Sequence, residues 1–255
     1  MWYPRGATFC FCCIPMKFRL FPAAERGHIT WDWLDTYHSF SFGHFYRPDL
    51  MGFGTLRVVN DDTIAPGSGF DTHSHSNMEI ITIPLSGAVE HQDNTGAHGV
   101  TPAGSVQVMS AGSFVSHSEF NASQTEPLSL FQIWIETRDL GIPACYDEKT
   151  FDQEKEKEEW QLLVSPDGRD NSLMIHQDAF LSLRSLDVEQ DATYTLSNQK
   201  NGAYLMVIEG NISINDQTLG RRDAIGITET EKIIFTTKAK SRILLIEVPM
   251  ATTAV

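Results

Sequence analysis

Two short clusters hold the residues most able to do chemistry: Thr72-His73-Ser74-His75 and Ser116-His117-Ser118-Glu119. Each places two metal-ligating side chains at positions i and i+2. Side chains on a β-strand alternate between its faces, so His73 and His75 point the same way, and so do His117 and Glu119. Two such strands facing each other across a small barrel bring three imidazoles and one carboxylate to one point. That donor set suits a borderline divalent first-row ion, because imidazole binds iron, nickel, copper and zinc well while a carboxylate adds negative charge. Fewer than six protein ligands leave open positions for a substrate and a second reactant.

Glu79 competes with Glu119 for the carboxylate position, since its parity along the chain also puts it on the ligand face. Spacing alone leaves the two open. Neither His38 nor His44 has a ligand partner two residues away. His38 and His44 read as hydrogen-bonded structural residues near a strand end. His91 and His98 read as surface or rim residues, and His176 as structural.

The elements that must position these clusters are strands. Strand-like runs recur from Thr55 to Asn60, Gly69 to His75, Glu79 to Leu85, Ala88 to Gln92, Ser105 to Ser110, Phe114 to Glu119 and Leu128 to Ile135. Turn-rich pieces separate them, among them Asn60-Asp61-Asp62, Pro66-Gly67-Ser68-Gly69 and Asp93-Asn94-Thr95-Gly96. Upstream, the aromatics Phe40, Phe42 and Phe45 in Tyr37 to Phe45 suit a half-buried strand. Tyr146 to Trp160 is dense in Glu and Lys and poor in β-branched residues, which predicts a helical connector. Strands then resume from Trp160 to Val248. Many short strands at this spacing predict an antiparallel sandwich or barrel.

The two halves echo each other. Ile80 to Gly87 resembles Tyr204 to Gly210, and Gly104 and Gly220 each lead into a further strand, which predicts a duplicated barrel. The second copy has no His-x-His pair, so it is expected not to bind metal in the same way.

The 255-residue chain is 41% hydrophobic and 20% charged, long enough for one large or two medium domains. Its formal net charge of −14 disfavours nucleic acid, whose phosphates must be neutralised by Lys and Arg. No apolar run reaches the roughly 18 to 20 residues that span a bilayer. Cys10, Cys12 and Cys13 crowd into the first sixteen residues, where Pro4 and Pro15 interrupt the apolar run and no small-residue cleavage site clearly follows. Residues 1–16 are therefore expected to be an unusual extension, with Met16 opening the recognisable pattern. Only Cys145 lies elsewhere, so no disulfide framework is indicated and a reducing cytoplasm fits.

Spacing carries a family resemblance. Gly67, His73-x-His75, Glu79 and Gly87 lie close to the first cupin motif, and Gly104, Ser110-x-Gly112, His117 and Asn121 resemble the second. In the general cupin pattern the glutamate equivalent to Glu79 binds the metal. The text from Phe70 to Ile80, Gly87 to Asp93, Gln107 to Gly112 and His117 to Asn121 resembles the pirin family, as do Trp33 to Phe42, Met51 to Gly54, Leu130 to Ile135 and Ser165-Pro166-Asp167-Gly168.

The resemblance covers residues 17 to 248. It implies an all-β bicupin: a metal-binding cupin domain over 17–140, a helical connector over 141–162 and a metal-free cupin domain over 163–255. It implies an Fe(II)-type centre held by His73, His75, His117 and Glu119, with Ni, Cu, Zn, Mn and Co as alternatives. Glu79 would then orient a ligand histidine.

The activity implied is that of a quercetin 2,3-dioxygenase, which opens a flavonol ring with O2 and releases carbon monoxide. Glu119 is the expected catalytic residue, taking the substrate hydroxyl proton. A cytoplasmic monomer acting on small aromatic substrates follows. The family also implies an alternative, a non-catalytic metal-bearing cupin that regulates a transcription factor or a metabolic enzyme. Ser74, Ser76 and Asn77 replace the Pro and Arg that family members often carry, and are expected to alter the electrostatics of the pocket mouth.

Overall fold

The structure, a computed structural model, describes residues 16–251. The expectations for Cys10, Cys12 and Cys13 lie outside the described residues. The first half is built from β1 (Lys17–Phe21), β2 (Gly27–Thr30), β3 (Leu34–His38), β4 (Leu56–Ile64), β5 (Gly69–His75), β6 (Met78–Ser86), β7 (Ala88–Asp93), β8 (His98–Pro102), β9 (Ser105–Ser110), β10 (Val115–Asn121), β11 (Leu128–Glu136) and β12 (Cys145–Thr150). A single helical turn, α1 (Lys155–Glu158), separates these from β13 (Gln161–Ser165), β14 (Leu173–Met174), β15 (Phe180–Leu186), β16 (Asp191–Thr195), β17 (Asn201–Glu209), β18 (Ile212–Ile214), β19 (Gln217–Leu219), β20 (Ala224–Thr228), β21 (Lys232–Thr237) and β22 (Ser241–Pro249). Among the described residues, no helix is long and apolar enough to cross a membrane.

Four sheets result, and they repeat one plan. The first barrel faces a seven-stranded sheet, ordered β12-β9-β6-β11-β4-β3-β2, with a four-stranded sheet ordered β5-β10-β7-β8. The second repeats this as β1-β20-β17-β22-β15-β13-β14 and β16-β21-β18-β19. Position for position, β16 and β21 stand where β5 and β10 stand in the first barrel. Two strands cross the boundaries expected at residues 17–140 and 141–162. β1 pairs with β20 in the second barrel, and β12 pairs with β9 in the first.

That pairing corrects the helical connector predicted over Tyr146 to Trp160. β12 occupies part of that range as an edge strand, registered from Cys145 opposite Ser110 to Thr150 opposite Ser105. Ladder hydrogen bonds to β9 override a helix propensity worth only tenths of a kcal/mol per residue, and charged side chains suit an exposed edge. Helix survives only at Lys155–Glu158. Two smaller corrections lie near the site. β4 runs through Asn60-Asp61-Asp62, expected as a turn, because β3 and β11 pair with it on both sides. The Tyr37 to Phe45 strand ends at His38, and Phe42 and Phe45 form an isolated bridge instead.

The two large sheets pack face to face. Ile81, Ile83, Phe131, Ile133 and Ile135 from the first barrel share one buried cluster with Leu181, Leu183, Met206, Leu244 and Ile246 from the second. Asp61 adds a polar tie: Arg222 Nε of the second barrel donates to it at 2.7 Å and Arg26 Nη1 at 3.3 Å, all three side chains largely buried.

The barrel interiors differ. Leu205, Val207, Ile233, Phe235, Ile243 and Leu245 fill the second as one apolar cluster. The first has only two small clusters, one around Leu34, Ile64 and Val89 and one around Ile80, Met109 and Val115. Its remaining interior carries the polar side chains described next.

Candidate metal centre

β5 and β10 run antiparallel, with His73 opposite His117 and His75 opposite Val115. β10 alternates buried and half-buried residues, so Val115, His117, Glu119 and Asn121 all point into the barrel. An irregularity in the β5 register between the pairs His117–His73 and Glu119–Phe70 lets both Phe70 and the two histidines line the same cavity. One ligand nitrogen from each of His73, His75 and His117 lies within 4.8 Å of the others. His73 Nε2 and His117 Nε2 are 3.1 Å apart.

The chemistry of these nitrogens fits a cation. His73 Nδ1 lies 2.8 Å from the Asp71 carbonyl, which can only accept, so that nitrogen carries the proton and Nε2 presents its lone pair to the cluster. His75 Nε2 is buried without a hydrogen-bond partner, an uncompensated polar atom that a shared ion would satisfy. Burial lowers the His75 imidazole to about 4, with the neighbouring His73 adding to the effect. Burial and then His73, His75 and His91 take His117 down to about 2. Both rings are therefore neutral at pH 7, the form that ligates metal. The arrangement can hold a divalent metal ion.

Glu119 is buried and groups with His91 and His117 rather than with the three-imidazole set. Gln107 Nε2 donates to its Oε1 at 2.7 Å and Gln132 Nε2 to its Oε2 at 2.7 Å. The Thr82 hydroxyl lies 3.1 Å from both Glu119 Oε1 and Gln132 Oε1 and can donate to one of them. A carboxylate has about four lone-pair sites, so Oε2 keeps capacity for a cation or a substrate proton. Burial pushes this carboxyl above its ordinary value.

Glu79 does not reach the site. Its strand alternates, and Glu79 shares the face of Ile81 and Ile83, which enter the core between the barrels, while Ile80 lines the cavity and Thr82 meets Glu119. Glu79 instead accepts from Ser110 Oγ at 2.5 Å. Parity counted from His75 fails because the left-handed Asn77 (φ 52°) breaks the strand between them. Its expected role of orienting a ligand histidine falls to another residue.

That residue is His91, which is fully buried rather than at a rim. It stacks on Tyr146 of β12 at 4.3 Å between centroids, its Nδ1 lies 3.4 Å from His117 Nδ1, and its Nε2 lies 3.2 Å from Asp93 Oδ2. An Asp93–His91–His117 chain thus orients the His117 ring from behind. The signal was present in the sequence as a further i, i+2 pair, His91-x-Asp93. His98 is exposed, whereas His38 and His44 both line the cavity. His38 ends β3, but its buried Nδ1 has no partner.

The cavity measures about 650 Å3 and lies between the two sheets of the first barrel. Its walls are aromatic. Trp134 packs edge-on against His75 (4.8 Å) and Phe42 (5.3 Å), and Phe70 packs edge-on against Trp33 (5.2 Å). Among the described residues, no Lys or Arg lines it. Asp62, missed in the sequence because Asn60-Asp61-Asp62 resembles a turn, lines it from β4. Burial raises the Asp62 carboxyl to about 7, against the lowering effect of a hydrogen bond from Thr36. Ser74 and Ser76 are exposed and absent from the lining, and Asn77 Oδ1 accepts from Gly141 N at 2.9 Å, so these three lie outside the cavity walls.

The sequence model of the Pirin family matches residues 20–135, and that of the quercetinase C-terminal cupin domain matches residues 162–248. A quercetin 2,3-dioxygenase of Escherichia coli is 42% identical over 227 residues, covering 89% of this chain and 96% of its own length. The chain belongs to the pirin family. Among solved structures, YhhW from Escherichia coli superposes with a TM-score of 0.87 at 40% identity, covering 93% of this chain and all of its own. The bacterial pirin YhhW in complex with nickel(II) gives 0.86 at 40% identity, covering 91% of this chain and 99% of its own. A quercetin 2,3-dioxygenase from Acinetobacter baumannii, at 18% identity and a TM-score of 0.73 over 92% of this chain and 87% of its own, shares the fold.

Two outcomes follow from the site's geometry. In the metal-free protein, imidazole 15N shifts should report His38, His75 and His117 neutral at pH 5, because burial holds the first two to about 4 and His117 to about 2. Between about 4 and 6.5 the unfolded chain binds protons that these folded rings refuse, so these groups raise stability as pH rises through that window. Protonation of the rings by pH 5.5 would contradict this. Replacing His91 with Phe, which keeps the stacked ring and removes its nitrogens, should weaken metal affinity by about 10- to 100-fold in a competition titration.

Proposed function

We propose that this pirin is a metal-dependent quercetin 2,3-dioxygenase that opens the ring of a flavonol with O2 and releases carbon monoxide. The supporting observation is a three-imidazole cluster that opens into an aromatic-walled cavity free of cationic side chains. His73, His75 and His117 would hold the ion, with Glu119 Oε2 as the fourth ligand. Iron(II) is the proposed resident, with nickel and the other borderline divalent ions competing for the same donors. When bound, the ion supplies an electrophilic centre that orients substrate and O2 and stabilises developing negative charge.

The chain's own residues do the rest. Trp134, Phe42, Phe70 and Trp33 offer flat apolar faces to a planar substrate and keep bulk water from the reacting ring. Glu119 takes the proton of the substrate hydroxyl, and Gln107, Gln132 and Thr82 hold its carboxylate in one orientation for that transfer. Proton removal would convert a neutral flavonol, which a cavity without Lys or Arg among its described lining admits, into an oxyanion suited to a cation. The chain is proposed to act as a monomer in the cytoplasm.

Iron(II)-loaded protein incubated with quercetin under O2 should consume the flavonol absorbance. His73→Ala should abolish the decay together with metal binding. Glu119→Gln should slow it by about 10²- to 10⁴-fold, the typical contribution of a positioned base. Tight metal binding with no flavonol decay would overturn the dioxygenase reading and leave a metal-bearing regulatory cupin. Metal retained with unchanged turnover in Glu119→Gln would remove Glu119 as the base.

A further inference from the structure

The sheet that faces the imidazoles carries its own group of buried polar side chains, which the proposed chemistry leaves unused. His38 and Asn60 stand directly opposite each other on β3 and β4, and so do Thr36 and Asp62. All four line the cavity and are at most 3% exposed. Their polar atoms are poorly satisfied from within the protein. Asn60 Oδ1 and His38 Nδ1 have no hydrogen-bond partner, and Trp134 Nε1, on the adjoining wall, has none either. Asp62 Oδ1 accepts from Thr36 Oγ1.

Unpaired buried polar atoms are rare, because each keeps its desolvation penalty unless something satisfies it. Three of them around one cavity, beside a buried carboxyl, make a built site rather than a packing accident. The character of the site selects its ligand. Among the described residues no Lys or Arg lines the cavity, so a phosphate or carboxylate at this end, away from the imidazoles, would find no side-chain counter-charge. The edge-on aromatic chain from His75 through Trp134 and Phe42 to His38 gives a continuous aromatic wall that reaches from the imidazole cluster to this group. A neutral, planar ligand lying along that wall, with one hydroxyl toward the imidazoles and others at its far edge, matches both ends.

We propose that His38, Asn60 and Asp62 form a hydroxyl-binding subsite that grips phenolic groups of the substrate's non-reacting rings and makes Asp62 a specificity-determining residue. The subsite rests on the reading of the cavity as a flavonol site. Asn60 Oδ1 accepts from a phenolic hydroxyl, and the Asp62 carboxyl, which burial places near its midpoint at neutral pH, accepts from or donates to a second. A flavonol that lacks those hydroxyls leaves the same atoms unpaired, so the protein favours the polyhydroxylated substrate.

The test compares quercetin with 3-hydroxyflavone, which keeps only the reacting hydroxyl, in the iron-loaded wild type, Asp62→Leu, Asp62→Asn and Asn60→Leu. Thermal melts confirm folding, and the isosteric Asp62→Asn guards against a collapsed Leu variant. Expected is a rise of about tenfold in KM for quercetin in Asp62→Leu and Asn60→Leu, with kcat within about threefold, no change for 3-hydroxyflavone, and partial recovery in Asp62→Asn. Equal losses on both substrates, or no loss on either, would overturn the subsite. Quercetin binding to metal-free protein, followed by tryptophan fluorescence quenching, is the independent readout. If no flavonol is turned over yet Asp62→Leu weakens quercetin binding about tenfold, the subsite stands and the dioxygenase reading falls. If turnover occurs and binding ignores both substitutions, the subsite falls alone. Absence of quercetin binding to the wild type overturns it as well.

Discussion

Burying polar side chains inside a small barrel is the constraint from which the rest of this structure follows. A buried imidazole or carboxylate without a partner loses several kcal/mol relative to water, so a barrel interior is either filled with hydrocarbon or given something to bind. The two halves take opposite courses on one strand plan. In the place of β5 the second barrel has β16, whose inward residues include Ala192 and Tyr194, and in the place of β10 it has β21, which points Ile233 and Phe235 inward. The first barrel points His73, His75, His117 and Glu119 into the equivalent space and leaves about 650 Å3 unfilled. The apolar barrel and the core between the large sheets supply burial, and the first barrel is free to carry chemistry.

The site is held from behind as firmly as from within. His117 is braced by His91 and Asp93, and His91 is pinned by the ring of Tyr146. Tyr146 is available only because β12 returns from the inter-barrel segment to extend the sheet of the first barrel. Glu119 is fixed by Gln107 from β9 and Gln132 from β11. Three strands of the large sheet therefore set the orientation of groups carried by the small one. Such preorganisation lets donors meet a charge without reorganising when it develops.

Much of this was legible in the sequence, and the exceptions have physical causes. The strand period made it readable that His73 and His75 share one face of β5, and His117 and Glu119 one face of β10, because each pair sits within a single strand. The same counting failed for Glu79, where Asn77 adopts a left-handed turn and resets the face. The helix predicted over Tyr146 to Trp160 followed local composition, and a long-range ladder overrode it. Asn60-Asp61-Asp62 has the composition of a turn, yet its middle residue pairs with Arg222 and Arg26 between the barrels while its neighbours point into the cavity. No local signal separates those two uses. His91 was legible in principle from its spacing to Asp93, but its burial depends on Tyr146, a partner 55 residues along the chain (146 − 91).

The proposed chemistry depends on one divalent ion held among His73, His75 and His117. An anomalous difference map from a crystal of iron(II)-loaded protein, collected at the iron edge, tests it most directly. One peak within bonding distance of one nitrogen from each of the three rings, about 2.0–2.2 Å away, with Glu119 Oε2 completing the protein ligands, is the expected result. A peak elsewhere, or no peak in protein shown by elemental analysis to carry one equivalent of iron, would contradict it.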